Sequence, residues 1–445
     1  MTMPDLNETH DPRRVSWLPS AATEGGDFPV QNLPLGMFRH QGELRPGVAI
    51  GDAIVDLKAA DAAGLFDGPA AAAVRAIDGR LNGLMALGHA PASALRARLS
   101  QLLSQGGDGA LRDRAEQLLL PAHAVEMQLP CEIGDYTDFL TSFHHTARHG
   151  RFKGLKDPVP PVFHSLPVAY HGRASSIRVA GTPVRRPHGQ WKEADGPVRF
   201  GPVEALDFEL ELAAIVGKGN ALGTPVLLDD AGDHLFGYAL LNDWSAKSVQ
   251  WWEQMLGPFL GKSFMSSLSP WVVTSEALAP FASAAPARPA AAPPLLPHLH
   301  SLRDREHGGL NLAFEAWLGT ERMRVEDRAP VRISATHLSN LSWTFGQMLA
   351  HHTSNGCNLR AGDVLGSGTI SGEADETRAC LTEITQAGRE PLVLPNGESR
   401  LWLHDGDEIE LRARASDGMH VPIGFGPCRG RILPAIAWPQ PRVAA

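Results

Sequence analysis

From Leu206 to Leu212 the chain alternates strictly, Leu-Asp-Phe-Glu-Leu-Glu-Leu. At period two, Asp207, Glu209 and Glu211 share one face of a strand, and Phe208, Leu210 and Leu212 share the other. The apolar face belongs in a core. The acidic face crowds like charges at next-but-one spacing, where they repel unless something neutralises them. Two readings stand. Either this is the solvated outer face of an antiparallel strand, or Glu209 and Glu211 hold a hard divalent cation, which prefers carboxylate oxygens.

Elsewhere the pattern divides the chain in two. Residues 1–26 read as a flexible lead-in. Phe28–Pro34, Arg45–Gly51 and Ala53–Leu57 are short β-type runs between Gly and Pro turns, as in a small barrel. Residues 58–119 are rich in Ala and Leu and predict several short helices. A boundary at 121–130 follows, and β-type patterning resumes to the C-terminus. The expected units are an N-terminal domain at 15–120 and a larger β-rich domain at 130–440. Residues 279–297 are nearly all Ala and Pro, which predicts a surface excursion without a catalytic group.

Composition narrows the function. Of the 445 residues, 43% are hydrophobic and 20% charged, which is ordinary for a globular protein. A net charge of −9 argues against nucleic acid as a partner. No apolar run approaches a membrane span, and the polar N-terminus lacks a signal-peptide region, so the cytoplasm is the expected compartment. The four cysteines have no CxxC pair. That pattern predicts free thiols and gives no support for zinc.

Several stretches offer chemistry. In Asp135-Tyr-Thr-Asp-Phe139, Asp138 is a third possible oxygen ligand, and His145, seven residues on, is a possible general base. In Asn242-Asp-Trp-Ser-Ala-Lys247, Asp243 is either a fourth carboxylate or the N-cap of a helix. A helix starting there places Lys247 and Gln250 on one face as donors. Gly257-Pro-Phe-Leu-Gly-Lys-Ser263 has three residues between its glycines where a phosphate-binding loop needs four, which excludes nucleotide binding. Lys262 is then an exposed loop lysine or a cation serving an anionic substrate. Gly366-Ser-Gly-Thr-Ile-Ser-Gly372 is a close-approach turn; GxSxG and HExxH are absent. Glu383, in the β-type run 380–384, is placed to orient a histidine.

These stretches, with Tyr170-His-Gly-Arg-Ala-Ser-Ser176, Gly47-Val-Ala-Ile-Gly-Asp52 and Asp27–Pro34, resemble the full-length fumarylacetoacetate hydrolase family in the right order over nearly the whole chain. The resemblance implies a β-rich α+β fold: an SH3-like N-terminal domain, then a large C-terminal mixed β-roll, assembled as a homodimer. It implies a Ca²⁺ or Mg²⁺ ion held by Asp138, Glu209, Glu211 and Asp243, and His145 as the base for water, oriented by Glu383. Gln250 and Lys262 would stabilise the oxyanion, and Tyr170 and Thr369 would line the site. The implied reaction cleaves the dianionic diketo acid 4-fumarylacetoacetate into fumarate and acetoacetate, the last step of tyrosine and phenylalanine breakdown. Four positions depart from the family pattern. Lys247 and Lys153 stand where arginines are expected, and Leu140 and Gln254 where tyrosines are expected. A fork-shaped donor is not matched by a point charge, so the alternative is a related acylpyruvate or β-diketo acid as substrate. Retention of both His145 and Glu383 speaks against a catalytically dead or decarboxylase-like relative.

Overall fold

The computed structural model describes residues 4–192, 196–288 and 292–439. Two large open sheets, mixed with helices, make up the molecule. The larger has 13 strands, and its main path runs through Leu119–Pro121, Ala53–Asp56, Glu43–Ile50, Leu35–His40, Trp271–Thr274, Leu235–Asp243, Leu210–Val216, Val364–Gly366, Tyr136–Leu140 and Val168–Gly172. N-terminal and C-terminal strands thus share one sheet, joined where Leu35 faces Val272 and Gly36 faces Trp271. The second sheet is built on Leu312–Gly319, Glu408–Ala415 and Cys428–Leu433. Neither path closes into a barrel among the described residues.

The Ala/Leu-rich stretch forms helices including Leu57–Ala62, Gly68–Arg75, Asn82–Ala86 and His89–Leu103. The Asp56 side chain caps the first by accepting from Ala59 N. Two expectations are corrected at this end. Phe28–Pro34 contains no strand; its turns lead into Leu35–His40. The lead-in is also not loose over its described part. Trp17 Nε1 donates to Leu102 O at 3.0 Å, and Ser16 Oγ to Leu103 O at 2.9 Å, so it is bound along the long helix. Single polar anchors of this kind leave no periodicity in the sequence.

The Ala/Pro segment begins in the core rather than outside it: Ala279 and Phe281 are buried. Farther on, Arg288 stacks over the Trp343 ring at 4.9 Å and donates to His164 O. Residues 289–291 of that segment lie outside the described residues.

The opening alternation is buried on both faces. Phe208, Leu210 and Leu212 pack in the main core, and Asp207, Glu209 and Glu211 are buried as well. A solvated outer face is therefore ruled out. The strand is interrupted: Leu206–Asp207 pairs with Ser245–Ala246, and Leu210–Val216 lies between Leu235–Asp243 and Val364–Gly366.

Candidate active site

Strand register builds the acidic centre. Ala213 faces Gly366, Gly366 faces Asp138, and Asp138 faces Tyr170, while Asp243 ends the strand next to Glu211's. Carboxylate oxygens of Asp138, Glu211 and Asp243 come within 4.8 Å of one another, all buried. The close approach depends on Gly366, because a Cβ there would sit 2.5 Å from Asp138 Oδ1 and 3.2 Å from Glu211 Oε2. Burial, reinforced by the Asp243 charge, pushes the Asp138 carboxyl up to about 8. Burial and the Asp138 and Asp243 charges also raise Glu211 well above the carboxylate range. Both Glu211 oxygens and Asp138 Oδ1 lack any hydrogen-bond partner. Buried acids without donors are costly unless a cation neutralises them. An all-oxygen set of this kind fits Ca²⁺ or Mg²⁺.

Glu209 stands apart from this trio. Lys247 Nζ bonds its Oε1, and Lys262 Nζ lies 2.5 Å from its Oε2 and 2.6 Å from Asp243 Oδ2. Burial alone would raise Glu209, yet the two lysines hold it well below the carboxylate range. Tyr170 and Ser266 complete Asp243, donating at 2.7 Å to Oδ2 and Oδ1.

Three expectations change here. Lys262 is buried, not an exposed loop lysine. Asp243 ends a strand and caps no helix; the helix runs Lys247–Glu253. Lys247 is wholly buried behind Glu209, and so it is a counter-ion to the strand glutamate rather than a donor facing the cavity.

His145 lies on the helix Phe143–Phe152, whose N-cap Ser142 accepts from His145 N and donates to Ser371 O. His145 Nδ1 lies 3.3 Å from Glu383 Oε2, an ion-pair distance outside aligned hydrogen-bond geometry. Glu383 itself sits on a short helix, Leu381–Ile384, not on the β-type run its sequence predicts. Asp207 causes this. Its carboxylate accepts from Leu381 N and Thr382 N at 2.7 Å, capping that helix and turning away from Glu209 and Glu211. Arg148 Nη1 and Ser371 Oγ also engage Glu383. Burial opposes its ionisation, but His145, His149 and the Ser371 hydroxyl hold it well below the carboxylate range.

Both centres open on one cavity of about 570 Å³. Asp138, Glu209, Glu211 and His145 line its floor, with Tyr170, Thr369, Gln250 and Lys262 around them. Gln250 Oε1 is buried without a partner. Leu140, Lys153 and Gln254 also line it, Lys153 Nζ donating to Gln254 Oε1 at 3.2 Å. Burial, with Lys247 nearby, lowers the Lys153 ammonium. Sequence reasoning missed Arg148, His149, Ser371 and the role of Asp207. The signal for the first two was available: a Ser142 cap followed by His145, Arg148 and His149 at i, i+3 and i+4 on one helix face.

Residues 136–433 match the family described as fumarylacetoacetate (FAA) hydrolase C-terminal, and residues 31–130 match fumarylacetoacetase N-terminal. The chain belongs to the fumarylacetoacetase family. It is 43% identical to the fumarylacetoacetase of Oryza sativa subsp. japonica, over 93% of this chain and 96% of the rice protein. The Homo sapiens fumarylacetoacetase is 41% identical over 95% of this chain and 99% of its own length. Among solved structures, the fumarylacetoacetate hydrolase from psychrophilic Exiguobacterium antarcticum aligns at a TM-score of 0.49 with 16% identity, covering 90% and 99% of the two chains.

Proposed function

We propose that this protein hydrolyses the carbon–carbon bond of 4-fumarylacetoacetate, giving fumarate and acetoacetate in the last step of tyrosine and phenylalanine breakdown. The observation that carries this reading is the convergence of an acid cluster and a His–Glu dyad on one cavity. Asp138, Glu211 and Asp243, with Glu209 beside them, would hold a Ca²⁺ or Mg²⁺ ion, which supplies Lewis-acid polarisation of a diketone oxygen when bound. His145 presents Nδ1 to Glu383, which leaves Nε2 to take a proton from the attacking water. Glu383, ionised and clamped by Arg148, stabilises the imidazolium that forms. Gln250 and Lys262 face the cavity as donors to the oxyanion. Tyr170 and Thr369 border the substrate.

The same reading takes 15–120 and 130–440 as an SH3-like domain and a mixed β-roll. It takes the assembly as a homodimer, for which the exposed apolar run Trp252, Met255, Leu256, Phe259 and Leu260 offers a surface. No described helix is long and apolar enough to cross a membrane, and the cytoplasm is the proposed compartment. The Lys153–Gln254 pair favours a second reading, a related acylpyruvate or β-diketo acid as the better substrate. Steady-state rates on fumarylacetoacetate and fumarylpyruvate, followed by loss of diketone absorbance, test both. Faster turnover of fumarylpyruvate selects the second reading, and no turnover of either overturns both.

A further inference from the structure

Beside the oxygen-only cluster lies a group of different chemistry. His145 and His149 are one turn apart on the Phe143–Phe152 helix, with ring centroids 4.1 Å apart. One ring nitrogen of each and the Cys380 thiol all lie within 4.8 Å of one another. Glu383 Oε2 adjoins both sides, 3.3 Å from His145 Nδ1 and 3.5 Å from Cys380 Sγ. We propose that His145, His149, Cys380 and Glu383 form a second metal site, one that takes Zn²⁺ or a similar borderline transition ion.

The geometry and the donors agree. Zinc bonds of about 2.0–2.3 Å in a tetrahedron require ligand-to-ligand edges of about 3.3–3.7 Å. The two separations from Glu383 already fall in that range. Two imidazoles, a thiol and one carboxylate suit zinc, whereas calcium and magnesium favour the all-oxygen trio. His145 Nδ1 and His149 Nε2 are buried without hydrogen-bond partners, so the group holds polar atoms that the fold leaves unsatisfied. Both histidines line the cavity, which gives an ion a path from solvent, and Cys380 lies behind them. The pairing was invisible as cysteine spacing because the ligands come as an i, i+4 pair, 145 and 149, and an i, i+3 pair, 380 and 383. Binding one ion takes the thiol proton from Cys380 and releases it to solvent. Glu383 and the neutral imidazoles lose none.

An ion seated there occupies His145, and hydrolysis stops. That consequence rests on the reading of His145 as the base; the site itself does not. The test loads the full protein with Ca²⁺ and then titrates Co²⁺, whose bond to a thiolate gives a near-ultraviolet charge-transfer band. One further ion should bind with that band and with the strong visible absorption of tetrahedral cobalt, and Zn²⁺ should displace it. Cys380→Ser should abolish the band, His149→Gln should weaken binding at least about tenfold, and Cys357→Ser should leave the band intact. A wild-type spectrum without the thiolate band overturns the proposal whatever the variants do, as does a band that survives Cys380→Ser. Inhibition by Zn²⁺ along the same binding curve supports it. Zn²⁺ bound with the band displaced but the rate unchanged leaves the site standing and overturns His145 as the base.

Discussion

Arg148 Nη1 lies 3.2 Å from Glu383 Oε1, on the oxygen opposite the one that faces His145. One buried carboxylate therefore has a cation on each side, the arginine permanently and the histidine when protonated. Glu383→Gln keeps the shape and removes the charge, so it should slow hydrolysis. His145→Ala should lower the rate by about 10²–10⁴-fold with Ca²⁺ or Mg²⁺ binding near wild type. The double variant should lose little beyond the larger single loss, since the two act as a unit. Steady-state rates on the three variants check this, and fully additive losses would refute the dyad.

The acid trio makes a prediction about stability. Asp138 and Glu211 hold oxygens with no donor, so a bound cation should relieve repulsion in the folded state. Ca²⁺ or Mg²⁺ should raise the thermal midpoint, by about 2.7 kcal/mol of stability at a free concentration 100 times Kd. Excess chelator should reverse the gain. Asp243→Asn should blunt it, and an unchanged midpoint in both cases would count against the cluster as a cation site.

At the cavity wall, Lys153 and Gln254 make a prediction about selection rather than the chemical step. Lys153→Ala should raise KM for a dianionic diketo acid more than it lowers kcat, and the salt dependence of kcat/KM should weaken. Gln254→Tyr with Lys153→Arg, which restores the residue types expected from the family pattern, should shift the ratio of rates between fumarylacetoacetate and fumarylpyruvate. A constant ratio would remove these positions from specificity.

His10 supplies a pH prediction far from the site. Its Nδ1 accepts from Asn7 N and its Nε2 donates to Glu276 O at 2.8 Å, which suits a neutral ring. Burial, with Arg96 nearby, lowers its pKa from the ordinary 6.5. Between the folded value and 6.5 the unfolded ring binds a proton that the folded ring refuses. Stability is therefore present above about 6.5 and declines as pH falls from there. Amide exchange along residues 7–17 should quicken over that range, and His10→Gln should flatten the slope. Equal slopes in both proteins would contradict this.

How far the sequence could be read depended on the range of each interaction. The carboxylates at 209 and 211 and the histidine at 145, which the structure brings to one cavity, could be singled out because strand alternation and short motifs are local. Asp207 was not, since its partners Leu381 and Thr382 are remote in the chain and meet it only after folding. Period two grouped it with the other two acids, but the strand break at Phe208 and Glu209 turned it the other way. Lys247 as a cavity donor and Lys262 as an exposed loop lysine were open readings for the same reason: only the folded chain shows the buried glutamate between them.

Asp207 has one more consequence. Two residues before Glu209, it grips the backbone of the helix that carries Glu383, so the acid cluster and the dyad hang from a single rigid bracket. The hydrogen bond between Lys153 and Gln254 has no part in that bracket. With the roles proposed for them, the cutting tool and the gauge that admits the workpiece are mounted separately, which would let a lineage refit the gauge for a new acid without realigning the blade.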